Sequence, residues 1–133
     1  MLRLEDIREY VAGMGIAEHT YIGKLDNKKQ KSIGVYQRSS SGAPRIALGG
    51  YDCATYETRP ISLLVHWNKN PVESEEAAWK VWEQLKQETS LMIGNTPIRC
   101  LMLQVPEPQN VGTDDAGVYE YVIWLDFICG KEG

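Results

Sequence analysis

Apolar positions along the chain fall into two patterns, and their order sketches the fold. Leu4, Ile7, Val11 and Met14 recur at three- and four-residue steps, the stripe of one helical face. Glu5 and Asp6 fall in the first turn, where carboxylates suit the positive end of the helix dipole, and Gly13 and Gly15 offer stops. A short amphipathic helix is predicted there. Residues 20–25 and 31–36 are β-type runs around a polar stretch, 26–30, and read as a hairpin. Residues 39–44 are a loop by composition, and 45–48 form a candidate short strand stopped by Gly49 and Gly50. Residues 61–67 alternate cleanly: Ile61, Leu63, Val65 and Trp67 face one way, and Ser62, Leu64 and His66 the other. Pro60 is placed at the start of that strand, where a missing N–H is tolerated.

A second helix announces itself by its first turn. Asn70 is a capping residue, Pro71 suits the first helical position, and Glu73 has the spacing to reach back to the cap backbone. Ala78, Val81, Trp82 and Leu85 line one face, Glu75, Glu76, Lys80, Glu83 and Lys86 cover the rest, and the helix is predicted to end near Thr89 or Ser90. Residues 91–93 and 97–105 flank Gly94 and Asn95, a tight hairpin turn. Residues 106–116 read as a polar loop, and a long last strand is predicted over 118–129. On that strand Tyr119, Tyr121, Ile123, Leu125 and Phe127 form an apolar face, while Val118, Glu120, Val122, Trp124 and Asp126 form a mixed one.

Helix, strands, helix, strands is the signature of an α+β fold: a single domain with an antiparallel or mixed β-sheet and two helices packed on one face. Two helices cover only one face of such a sheet. Val122, Trp124 and the Leu64 side of the middle strand are left on the other, so either the sheet curls around them or a neighbouring subunit covers them.

A length of 133 residues fits one domain, and 43% hydrophobic with 24% charged residues is ordinary for a soluble globular chain, which excludes disorder as the main state. Neither a membrane span nor a signal peptide is apparent, so a soluble protein made in a cytosol is expected. Net charge is −4, distributed as +2 over residues 1–66 and −6 over residues 67–133. An acidic chain is poorly suited to gripping phosphates. Lys24, Lys28, Lys29 and Lys31 cluster at the predicted hairpin; they serve either as a solvated, lysine-protected edge or as a basic arm that docks on an acidic neighbour. Glu107, Asp114 and Asp115 make the loop before the last strand acidic.

Chemistry-bearing motifs are sparse. Cys53, Cys100 and Cys129 are odd in number and far apart, with neither metal nor disulfide spacing, so no cofactor or metal is predicted. No G-x-S-x-G surrounds a serine, and of the two histidines, His19 lies in a connection and His66 mid-strand, where a satisfied sheet residue is expected. Adjacent carboxylates at Asp114 and Asp115 point different ways on an extended chain, and the sequence there reads as a turn. Two alternatives remain open: a small hydrolase using His66, and a binder of single-stranded nucleic acid using the lysines with Tyr21 and Tyr36.

Several segments together resemble a family of bacteriophage minor capsid proteins of the tail-terminator or tail-completion type. They are YIGKLDNKK at 21–29, KSIGVY at 31–36, IALGG at 46–50, ISLLVHWNKN at 61–70, PEPQNVGTDD at 106–115 and GVYEYVI at 117–123. The resemblance implies a non-enzymatic virion protein forming a ring, commonly hexameric, at the head-proximal end of a phage tail. Its implied partners are copies of itself, the tail tube protein and the head connector, with DNA passing through the opening without being read. In such a ring the lysines Lys24, Lys28, Lys29 and Lys31 and the acidic Glu107, Asp114 and Asp115 are candidates for pairing between subunits or for docking on the tube, with Trp124 at a contact face.

Overall fold

The computed structural model describes residues 2–23, 29–38, 56–88 and 91–130. Chain order is α1 (Leu4–Gly13), β1 (His19–Ile22), β2 (Ser32–Gln37), β3 (Tyr56–His66), α2 (Pro71–Gln87), β4 (Leu91–Ile93), β5 (Thr96–Leu103), β6 (Gln109–Thr113) and β7 (Tyr119–Gly130). The seven strands form one mixed sheet in the order β1-β2-β3-β7-β5-β4, with β6 also on β7. Long strands β3 and β7 pair antiparallel from Tyr56↔Gly130 to His66↔Glu120 and form its spine.

Both helices lie on one face, as the pattern predicts. Ile7 and Val11 of α1 and Ala77, Ala78, Val81, Trp82 and Leu85 of α2 are buried in one cluster with Ile33, Val35, Ile61, Leu63, Val65, Ile123, Leu125 and Phe127 of the sheet. Alternation on β3 and β7 therefore separates a dry face from an open one. Asp6 Oδ2 accepts from the Arg3 N–H at 3.1 Å, closing the first turn of α1, and Gly15 takes φ +72° just beyond its end. Asn70 Oδ1 accepts from Val72 N–H at 3.0 Å and Glu73 N–H at 3.2 Å, the expected cap of α2. Glu73, however, does not reach the cap backbone: the Asn70 N–H donates to Asn68 Oδ1 at 2.9 Å, because Asn68 lies closer along the chain. Gly94, at φ +60°, turns β4 into β5.

Three expectations are corrected. Residues 20–36 do not form a hairpin: β1 and β2 run parallel, His19 opposite Ser32 and Ile22 opposite Val35. The intervening segment is long enough to carry the chain back along a four-residue strand, and β-type runs around a polar stretch do not encode direction. Pro60 lies inside β3, not at its start. Its carbonyl accepts from the Arg38 N–H at 3.1 Å, so its missing donor points to the β2 side just past the end of that strand, where only the reciprocal bond to Arg38 is forgone. Residues 106–116 are not wholly loop: β6 pairs with β7, from Gln109↔Val122 to Thr113↔Tyr119. All five of its residues are exposed, so no apolar alternation marks it. The strand predicted at 45–48 lies outside the described residues. No helix is long and apolar enough to cross a membrane among the described residues.

Candidate functional site

Two regions of the open sheet face concentrate unusual residues. The first is centred on Trp124, which is 47% exposed on β7. Ser62 of β3 sits opposite it, and the Gln104 N–H donates to the Trp124 carbonyl at 2.8 Å. One step along, Arg38 and Asp126 form an ion pair at 2.5 Å, the Arg38 guanidinium lies 5.9 Å from the Trp124 ring centroid, and Gln104 Nε2 donates to Asp126 Oδ2 at 3.1 Å. Exposed Met102 and half-buried Leu64, Val122 and Ile128 extend the surface. An exposed aromatic ring beside a cation and framed by apolar side chains has the chemistry of a surface that contacts other molecules.

The second region is the end of the sheet where β2 begins and β3 ends. Ser32, His66 and Glu120 stand directly opposite one another on neighbouring strands. His66 Nδ1 lies 3.0 Å from Glu120 Oε2, while Nε2 faces Asp114 Oδ2 at 3.8 Å, beyond hydrogen-bond reach. His66 is thus satisfied on one nitrogen only, short of the full satisfaction expected. The row looks like a hydrolytic triad in residue type, but its geometry is wrong for one. Ser32 and His66 are fully buried, and the Ser32 hydroxyl donates to the Lys29 carbonyl at 3.0 Å instead of to the imidazole.

The predicted site residues are distributed around this end. Lys24 and Lys28 lie outside the described residues. Lys29 is exposed, and Lys31 is half-buried at φ +55°, with its N–H donating to the Trp67 carbonyl at 2.7 Å. Glu107 and Asp115 are exposed; Asp114 is half-buried and occupied locally, its Oδ1 accepting from the Ala116 and Val118 N–H groups at 2.9 Å each. Lys29 and Lys31 make no ion pair with these acids among the described residues. Lys29 and Lys31 instead precede β2 at the end of the sheet where Asp114 and Asp115 follow β6, with β3 and β7 between them, whereas Glu107 precedes β6 at its other end. The Arg38–Asp126 pair was not legible in the sequence, since 88 positions separate its members and neither residue belongs to a motif.

Elsewhere, Ile16, Trp79 and the side chains of Glu75, Glu76, Lys80 and Glu83 line an open groove of about 620 Å³ beside α2. Burial, with the Glu88 charge second, pushes the Tyr10 hydroxyl well above its ordinary range, and burial pushes the Cys129 thiol up to about 11. Both groups are structural. Among the described residues no cluster of three metal-ligating side chains is present.

The family described as "Bacteriophage tail terminator protein" matches residues 5–129. A solved structure, that of the bacteriophage SPP1 gp17 protein, is similar at 15% sequence identity and a TM-score of 0.45, covering 98% of this chain and 87% of its own. No curated protein matches.

Proposed function

The chain belongs to the bacteriophage tail terminator family, and from that premise we propose that it caps the head-proximal end of a tail tube as a ring of identical copies and offers the head connector a surface. The observation that carries the reading is the open sheet face, with Trp124 47% exposed and Met102 52% exposed opposite a helix-covered core. Apolar surface of that kind on a small domain marks contact with protein. In a closed ring each interface is heterologous, so unlike flanks of one subunit must meet. Lys29 and Lys31 near one flank and Asp115 on the other supply that pairing, while Glu107 stands at the far end of β6 and Lys24 and Lys28 lie outside the described residues. Asp114, already engaged by its own turn, contributes less than the sequence suggested.

Such a role requires no catalysis, and the full burial of Ser32 and His66, with the Ser32 hydroxyl turned away from the imidazole, supports a non-enzymatic reading. A net charge of −4 suits a conduit that lets DNA pass without holding its phosphates. The test is electron microscopy of particles made without this protein. Over-long tubes establish termination. Tails of normal length that fail to join heads move the role to completion. Virions that mature normally without it overturn the proposal.

A further inference from the structure

The register of the sheet places its two flanking strands, β1 and β6, at the same level. Reading across at one end, His19 of β1 is level with Ser32, His66, Glu120 and then Gly112 of β6. The next rows run from Thr20 to Asn110 and from Tyr21 to Gln109 in the same way. β1 and β6 have four and five residues, and among the described residues neither has a strand on its outer side. Their directions are opposite: β1 runs with β2 and β7, and β6 runs against β7.

We infer that β1 of one copy pairs with β6 of the next, joining the sheets into a continuous collar. The inference rests on the ring reading above and names the surface through which the ring closes. Rotation about an axis lying along the strands preserves strand direction, so β1 of one copy meets β6 of its neighbour antiparallel, the more stable of the two ladders. Because the two flanks are level, the rotation needs no rise along the axis, and the assembly closes instead of spiralling into a filament.

Charges of both signs fall near this contact. Lys31 heads β2 and Lys29 precedes it, one strand in from the β1 flank, while Asp115 follows β6 at the same end of the sheet. Abutting flanks bring exposed Lys29, one strand in, towards the neighbour's acidic turn, but also exposed Glu18 at the head of β1, which stands nearer to that turn. The flanks are also selective. β6 carries a bulge between Asn110 and Gly112, and the Gly112 N–H is held by the Asn110 side chain at 2.7 Å. Short, bulged edges resist indiscriminate pairing, which confines β6 to a partner of matching length and level. Five strands at about 4.8 Å give about 24 Å of circumference per copy, so six copies would span about 46 Å before strand tilt widens the ring.

The test is cross-linking in assembled tails. Residues directly opposite in an antiparallel ladder have Cβ atoms about 4.5–5.5 Å apart, within reach of a disulfide after small adjustment. In a Cys53→Ser, Cys100→Ser background, Thr20→Cys with Asn110→Cys should give, on oxidation, a ladder from dimer to closed oligomer and shift most of the monomer band. Thr20→Cys with Met92→Cys, whose β4 position lies beyond β5 at the opposite end of the sheet from β6, should give none. Should the double variant fail to enter tails, a mixture of the two single variants should give dimers. Amine cross-linking of unmodified tails separates the readings. Oligomers by amine cross-linking without any cysteine ladder overturn the β1–β6 contact and leave the ring; no oligomers by either chemistry overturn the ring as well.

Discussion

Trp124 and Phe127 stand three residues apart on β7 and face opposite ways, so truncating each to alanine separates contact from core. Phe127 is fully buried, its ring edge-on to Tyr10 at 6.3 Å. Phe127→Ala removes that burial and leaves a cavity, at a cost of about 3–5 kcal/mol. Against a total of about 5–15 kcal/mol for a domain of this kind, that is a large fraction. Interpolating the usual size dependence, it lowers Tm by about 10–20 °C. Trp124 is 47% exposed, so about half of a side chain worth up to about 250 Å² is removed from water. At about 25 cal/mol/Å² this amounts to about 3 kcal/mol. Alanine retains part of it and an extended reference overstates burial, which leaves about 1–2 kcal/mol. Thermal unfolding followed by circular dichroism measures both, and complementation of a phage lacking this protein reads function. Trp124→Ala is expected to stay folded at 37 °C yet reduce plaque number at least tenfold. Equal Tm losses for the two variants would show that the Trp124 face is internal. Full complementation by Trp124→Ala would show that the face has no partner.

Three further outcomes follow from named contacts. Asn70→Ala should cost about 1–2 kcal/mol by thermal unfolding and Asn70→Asp little, because the side-chain oxygen alone satisfies the Val72 and Glu73 N–H groups. Burial raises the Cys129 thiol to about 11, so the folded state favours the neutral form; the stabilisation is complete below the unfolded value near 9 and is lost as pH climbs from there through about 11. Tyr10, raised in the same sense, adds to this alkaline loss, and at pH 8 a thiol reagent should label exposed Cys100 well before Cys129. Charge reversal of Lys29 and Lys31 to Glu should prevent ring formation in tails, and Glu107→Lys with Asp115→Lys should restore it when the two sets are combined, as cross-linking would read.

Periodicity made the dry half of the fold legible and left the wet half obscure, for one physical reason: burial writes a pattern and exposure does not. The stripes of α1 and α2, the alternation of β3 and β7 and the Gly94 turn are imprinted by what each residue packs against, and each appears where the pattern puts it. Strand β6 escapes because its five residues are exposed and its partners impose no polarity on it. Parallel pairing of β1 with β2 escapes because strand direction is set by the path of the connection, not by composition. At the candidate site, Trp124 was legible as the large apolar residue on the mixed face of β7. The Arg38–Asp126 pair beneath it and the Glu120–His66–Asp114 alignment required tertiary register, which no local spacing reveals.

That polar alignment lies between the two flanks of the sheet. A buried imidazole between two carboxylates invites a catalytic reading, but no part of it meets solvent. What it does meet is the backbone seam that fixes the end of the sheet. The Lys31 N–H donates to Trp67, the Trp67 N–H to Tyr119, the Tyr119 N–H to Asn68 and the Asp114 N–H to Val118, all between 2.7 and 3.1 Å. His66 and Glu120 bridge β3 to β7 within that seam, and Ser32 ties β2 to the segment before it through Lys29. Strands β1 and β6 hang from the two sides of this seam, too short to hold their own level. A collar built by rotation tolerates little error at its flanks, since a small rise per copy opens a ring into a helix. Polar burial costs stability unless it is satisfied, and here His66 is bonded on one nitrogen only, beside the buried Ile33, Val65, Trp67 and Tyr121 of the same end of the sheet. The residues that most resemble chemistry thus tie together β3 and β7, and β2 to the segment before it, the strands that lie between β1 and β6.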